Sequence, residues 1–145
     1  MLVISTDLLK EIYSQNTLIE NQKEFFKNHK QYNLKGFMKI SFADLGVTDY
    51  LIEALDVLQI KTPTTIQAKA IPILLNQKED VVALAKTGTG KTASFGLPLL
   101  QSINTQNNFI QAIVLTPTRE LGQQIYTNLT DFSSKKKQIS ITPVF

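Results

Sequence analysis

The sequence predicts an α/β fold in which a parallel sheet is flanked by helices, and two observations carry that reading. Apolar, β-branched runs at 80–85, 112–115 and 139–145 alternate with segments of helical spacing from Thr92 to Ile103 and from Thr118 to Phe132. The order β-α-β-α-β calls for right-handed crossovers and helices on both faces of the sheet. Between the first run and the first of these helices stands Ala85-Lys86-Thr87-Gly88-Thr89-Gly90-Lys91-Thr92. Gly88 and Gly90 can take positive φ without a Cβ penalty, so successive N–H groups can converge on one anion at a helix N-terminus. The stretch reads as a phosphate-binding loop, with Lys91 reaching the β- and γ-phosphates and the Thr92 hydroxyl holding Mg²⁺. A plain strand-to-helix turn with an exposed Lys is the bland alternative.

Composition narrows the chemistry. A chain of 145 residues is one domain by length, able to bury roughly 68–70% of the surface its unfolded form exposes. It has no cysteine and one histidine, His29, which rules out thiolate sites and makes a histidine-based metal or triad site implausible. No apolar run is long enough to span a bilayer and no leader-like start is present, so the expectation is a soluble cytoplasmic protein without a membrane partner. The net charge of +3 permits a polyanionic partner. Arg119 is the only arginine, so any guanidinium role falls there or on another chain.

Taken in order, residues 1–40 form a helical or mobile N-terminal extension. Leu8, Leu9, Ile12, Tyr13, Leu18, Ile19, Phe25 and Phe26 give it an imperfect amphipathic stripe. Thr48 is a candidate N-cap for a helix that buries Leu51, Ile52, Leu55 and Leu58. Pro63 ends that segment, and Thr64-Thr65-Ile66-Gln67 opens a second helix that Pro72 interrupts. Gly96 and Pro98 weaken the helix after the phosphate loop. Pro117 stops the second apolar run at the start of a helix carrying Leu121, Ile125, Leu129 and Phe132. Ser133 to Gln138 reads as a solvated basic turn before the third run.

Three stretches recur in one order: Pro63-Thr64-Thr65-Ile66-Gln67, the loop at 85–92, and Pro117-Thr118-Arg119-Glu120-Leu121-Gly122. Together they resemble the Q motif, motif I and motif Ia of DEAD-box ATP-dependent RNA helicases, over residues 42–145. The resemblance implies the first part of a RecA-like ATP-binding domain, with ATP and Mg²⁺ as cofactors and RNA as partner. It implies that Gln67 hydrogen-bonds the adenine edge, that Phe42 stacks on the base, and that Ala85, Lys86, Thr87, Gly88, Thr89, Gly90, Lys91 and Thr92 hold the phosphates. Pro117, Thr118 and Arg119 would touch the RNA sugar-phosphate backbone without reading sequence. Spacing alone leaves a second reading of Gln67 open, because Thr64-x-x-Gln67 is also a capping box. The chain departs from the family at Gln59 (usually Gly), Ile60 (usually aromatic), Thr65 (usually Pro) and Gly122 (usually Ala).

No Asp-Glu-Ala-Asp run occurs, nor the Ser-Ala-Thr motif or the second RecA-like domain with its arginine finger. The expectation is an N-terminal fragment of an RNA helicase, inactive alone because phosphoryl transfer needs acidic groups for the metal and the water. A non-enzymatic nucleotide- or RNA-binding module is the alternative; a small P-loop kinase fits poorly. Two views of the first 37 residues stand side by side: a docking helix, or upstream sequence read through in frame before a start at Met38.

Overall fold

The computed structural model describes residues 40–76, 81–136 and 138–144; the expected N-terminal helix and the polar turn at 77–80 lie outside them. Among the described residues are four helices: α1 (Asp49–Val57), α2 (Thr65–Asn76), α3 (Lys91–Ser102) and α4 (Arg119–Phe132). The last two fall within one residue of the spans that periodicity predicts. None of the four is long and apolar enough to cross a membrane. Helix α3 packs against both α2 and α4, and α1 also meets α4.

The segment that enters α1 is a tight turn. Ser41 donates its N–H (2.8 Å) and its hydroxyl (2.7 Å) to Asp44 Oδ2, while the Asp44 N–H returns to Ser41 Oγ at 3.2 Å. This reciprocal box turns Phe42, Leu45 and Val47 inward, where they are 3%, 6% and 5% exposed. Helix α1 then buries Leu51, Ala54 and Leu55 along one stripe. It ends in a Schellman closure: Ile60 N–H reaches Leu55 O at 2.9 Å and Gln59 N–H reaches Asp56 O at 3.0 Å. Gln59 therefore has φ of +59°, a left-handed conformation that favours glycine, so its replacement of the family glycine leaves strain and not a different backbone.

Helix α3 is the buried centre, with Ala93 through Pro98 all enclosed. A Cβ added at Gly96 would lie 2.7 Å from Leu129 Cδ2, so the absent side chain is what lets α4 approach. Tyr50 on α1 donates its hydroxyl to Leu100 O at 3.1 Å, and burial holds that phenol above its usual value of 10.0, keeping the proton in place. The basic turn expected to be solvated is instead partly packed: Ser133 is buried, and Lys136 Nζ sits 5.0 Å from the centre of the Tyr50 ring.

The expected parallel sheet is not formed among the described residues: 81–85, 111–115 and 139–144 carry no strand ladder. The period of two survives in the burial of 112–115 and 139–142, while Val82, Ala83 and Leu84 are all exposed. Val114, Ile139 and Ile141 pack on the core, whereas Val82, Leu84, Ile113 and Leu115 are 56%, 86%, 65% and 73% exposed. A parallel sheet is stabilised by cover on both faces, and here only the helical side covers these segments.

Two outcomes are expected. Gln59→Gly should raise stability by about 0.5–1 kcal/mol, read as an increased melting temperature, because glycine adopts the left-handed conformation without cost. The carboxyl of Asp44 is held below its usual 3.8 by the Ser41 hydroxyl first and the Ser41 N–H second. Its folded value is thus depressed, so its contribution is complete above the unfolded value and disappears as pH falls through the folded one. Denaturation curves of Asp44→Asn should accordingly fall short of those of the unmutated chain at neutral pH and converge on them as acid protonates the folded carboxyl.

Candidate functional site

Two helix N-termini and the backbone between them build the site. At the first, Gly90 caps α3 with φ of +84° and no side-chain hydrogen bond, so the leading N–H groups of the helix are not closed off by a capping side chain. Gly88 has φ of +75° with open space where a Cβ would stand, and its need for glycine is purely conformational. Gly90 has a second requirement, since its Cβ would run into the Gln67 amide nitrogen. Thr89 Oγ1 donates to Lys86 O at 2.8 Å, tightening the loop from within.

Lys91 folds back over this loop. Its ammonium donates to Ala85 O at 2.6 Å and to Lys86 O at 3.1 Å, while Lys86, Thr87 and Gly88 remain exposed. A cation resting on two neutral carbonyls is weakly compensated, and a polyphosphate offers the same donors charged acceptors. Thr92, half-buried in the first turn of α3, presents the hydroxyl that could serve as one oxygen ligand of Mg²⁺. Among the described residues no group of three or more His, Cys, Asp or Glu side chains stands ready to hold a metal. The donor set thus fits nucleotide phosphate well and contributes to a magnesium ion chiefly through Thr92.

Gln67 is 3% exposed and does what the capping-box reading expected. Its Oε1 accepts from the Thr64 N–H at 2.8 Å, and the Gln67 N–H faces Thr64 Oγ1 at 3.5 Å. It also does something that spacing did not reveal. Gln67 Nε2 donates to Gly90 O at 3.1 Å, and the Thr64 hydroxyl donates to Thr89 O at 2.8 Å. The start of α2 is therefore pinned to the phosphate loop, and Thr64, read only as a cap, proves to be a loop contact. The primary amide still has one N–H and one acceptor lone pair beyond these bonds, the pair an adenine edge would use. Phe42, expected to stack on a base, lies in the core at 3% exposure, at the turn closed by Ser41 and Asp44.

At the second N-terminus, Thr118 caps α4 through its side chain, accepting from the Leu121 N–H at 3.2 Å. Thr116 Oγ1 donates to Thr118 O at 3.0 Å, which fixes the turn ahead of the helix. Pro117, Thr118 and Arg119 are all exposed, and with Thr116 and Val144 they line an open hollow of about 620 Å³. The three residues expected to touch a nucleic-acid backbone are thus together on one exposed surface.

The DEAD/DEAH box helicase family model matches residues 64–144, more than half of the chain. The ATP-dependent RNA helicase DeaD of Escherichia coli K12 is 44% identical over 105 residues, 72% of this chain and 16% of that protein. The ATP-dependent rRNA helicase rrp3 of Schizosaccharomyces pombe is 53% identical over 85 residues, 59% of this chain and 18% of that protein. Among solved structures, Dbp5 of Saccharomyces cerevisiae bound to RNA and ADP BeF3 superposes with a TM-score of 0.65 at 34% identity, over 69% of this chain and 26% of that one. A DEAD box protein from the hyperthermophile Methanococcus jannaschii gives 0.60 at 43% identity, over 63% of this chain and 25% of that one. The chain spans about a sixth to a quarter of the length of these relatives.

The two loop glycines should separate on substitution. Gly88→Ala is expected to cost about 1 kcal/mol through its positive φ alone. Gly90→Ala should cost more, because the same conformational term is joined by displacement of the Gln67 amide; urea denaturation of both variants measures the difference.

Proposed function

This chain belongs to the DEAD/DEAH box helicase family, and from that premise we propose that it carries the ATP-binding and RNA-contacting front of an ATP-dependent RNA helicase. The observation that supports this best is the junction of the first two motifs, where Gln67 and Thr64 hold the carbonyls of Gly90 and Thr89 beneath a loop on which Lys91 is poised. In this reading Lys91 leaves the carbonyls of Ala85 and Lys86 for the β- and γ-phosphates. The uncapped start of α3 and the N–H groups of Lys86 to Thr92 complete the phosphate cradle. Thr92 supplies one oxygen to Mg²⁺, the remaining ligands coming from phosphate and water.

Gln67 recognises adenine with the N–H and lone pair left over from its two structural bonds, so base choice and loop position pass through one side chain. A base would meet Phe42 only at the rim of its ring. Pro117, Thr118 and Arg119 hold the RNA backbone, and their lack of base-edge geometry makes the contact independent of sequence. The segments 81–85, 111–115 and 139–144 take strand positions of a RecA-like sheet, a reading supported by the alternating burial within the last two and by the likeness to the Dbp5 domain. Strand separation itself belongs to a longer protein with the acidic motif and a second RecA-like domain, working in the cytoplasm.

A non-enzymatic nucleotide-binding module is the second reading, favoured by one fact of the sequence: from Val81 onward its acidic residues are only Glu120 and Asp131, both on α4.

Titration with ATP and GTP separates these ideas. The unmutated chain should bind ATP better than GTP, Gln67→Ala should abolish the preference, and Lys91→Ala should weaken both nucleotides by roughly tenfold or more, as loss of a charge-assisted bond implies. Equal affinity for the two nucleotides in the unmutated chain would leave Gln67 with its capping role alone. Turnover of ATP by the chain should not exceed that of Lys91→Ala; RNA-stimulated hydrolysis that this substitution removes would contradict the expectation that the stretch is inactive alone.

A further inference from the structure

Helix α3 is tied to upstream backbone at both ends. The tie at its start, through Thr64 and Gln67, belongs to the nucleotide site. The tie at its end uses residues that no motif includes. Gln101 donates its Nε2 to Gly46 O at 3.0 Å and accepts the Thr48 N–H on Oε1 at 3.0 Å, so both faces of one amide are engaged by the turn that precedes α1. One residue earlier, Leu100 O receives the Tyr50 hydroxyl. These contacts join residues 50 to 55 positions apart.

We infer that Gln101, supported by Tyr50, is a positioning residue for the phosphate loop: it sets where α3 lies along its axis and thereby the height of Gly90 relative to Gln67. The inference rests on the nucleotide-site reading above. Its physical basis is the weakness of the α3 interior. Pro98 cannot donate to the carbonyl of Ser94, and Gly96 lowers helix propensity, so the backbone ladder is interrupted midway. The flanking helices hold this middle by apolar packing, which is strong across the axis and permissive along it. Leu97 is fully buried and Gly96 lies flat against Leu129, an arrangement that opposes separation more than sliding. Directional bonds at the two ends are what fix the axial position. At the loop end the tolerance is small, because the Gln67 amide occupies the space that a Gly90 side chain would need.

The site end of this coupling is chemically demanding as well. Gln67 has to meet Gly90 O at 3.1 Å and Thr64 N–H at 2.8 Å together. A shift of α3 of about half an ångström takes the first bond out of hydrogen-bond range and releases the loop. Gln101 touches no nucleotide in this arrangement; it acts through α3.

Hydrogen exchange on the full chain tests this without any ligand. Gln101→Ala should speed exchange of the loop's hydrogen-bonded marker amides, Ser94 N–H on Gly90 O and Ala68 N–H on Thr64 O, by about fivefold, the factor that corresponds to one lost hydrogen bond. The amides of Ile125 to Phe132 on α4 should be unchanged. Tyr50→Phe should act in the same direction with a smaller effect. Ile125→Val, chosen to match the loss in melting temperature, should leave the loop unaltered. Equal acceleration of loop and α4, or the same acceleration in Ile125→Val, would show general loosening and overturn the inference, as would a loop unaffected by Gln101→Ala. Nucleotide titration adds the functional readout: Gln101→Ala should weaken ATP by about three- to tenfold and shrink its advantage over GTP, whereas Ile125→Val should keep that advantage. If the unmutated chain binds no ATP, the nucleotide reading fails, and the exchange data alone decide the role of Gln101.

Discussion

The carbonyl of Gly90 is the point on which this arrangement depends. It accepts from Gln67 Nε2 at 3.1 Å, and from both the N–H and the hydroxyl of Ser94 at 3.2 Å. Three donors on one oxygen join the first turn of α2, the end of the phosphate loop and the first turn of α3. A glycine at this position serves conformation and space together, because its φ is positive and a neighbouring amide fills the side-chain volume. Every other feature of the site is placed relative to that oxygen: Thr89 and its bond to Thr64 one residue before, Lys91 and the helix start one residue after.

Electrostatics at the loop favour exchange of partners. The ammonium of Lys91 is held by two carbonyl dipoles at 2.6 and 3.1 Å, enough to keep it in place and to draw the loop closed. Phosphate oxygens carry full charge and form shorter, stronger bonds with the same donor. In the proposed nucleotide site, phosphate binding would trade these contacts for stronger ones and leave the carbonyls of Ala85 and Lys86 to water. The neighbouring N-terminus of α4 is organised differently. There the Thr118 side chain closes the cap, so the helix end is self-sufficient.

The helices were legible because their signals are local. Apolar spacing placed α3 and α4 to within a residue. The glycines and Lys91 were legible for the same reason, as a loop whose geometry permits few other residues. What sequence could not disclose depends on contacts across the chain. Gln67 looked like a choice between a cap and a base contact, yet it caps α2 and reaches across 23 residues to Gly90. Gln101 at the end of α3 carries no sign of its bonds to Gly46 and Thr48. Phe42 was assigned by likeness to a position facing the ligand, whereas a turn built by Ser41 and Asp44 rotates it inward. The strands are legible only as apolar, β-branched runs: composition reports a tendency to be covered, and a parallel sheet needs cover on both faces, which local sequence does not supply.

That uncovered side has its own thermodynamics. Val82, Leu84, Ile113 and Leu115 present hydrocarbon to water, as does Val144 at 90% exposure. Hydration of such a surface is opposed mainly by entropy near room temperature and carries a large heat capacity. Contact between two of these faces consequently strengthens with warming and with excluded salts such as sulfate, and relaxes in the cold or in dilute urea. A solution of this stretch would thus stay dispersed on ice and cloud as it is warmed, well before its helices melt.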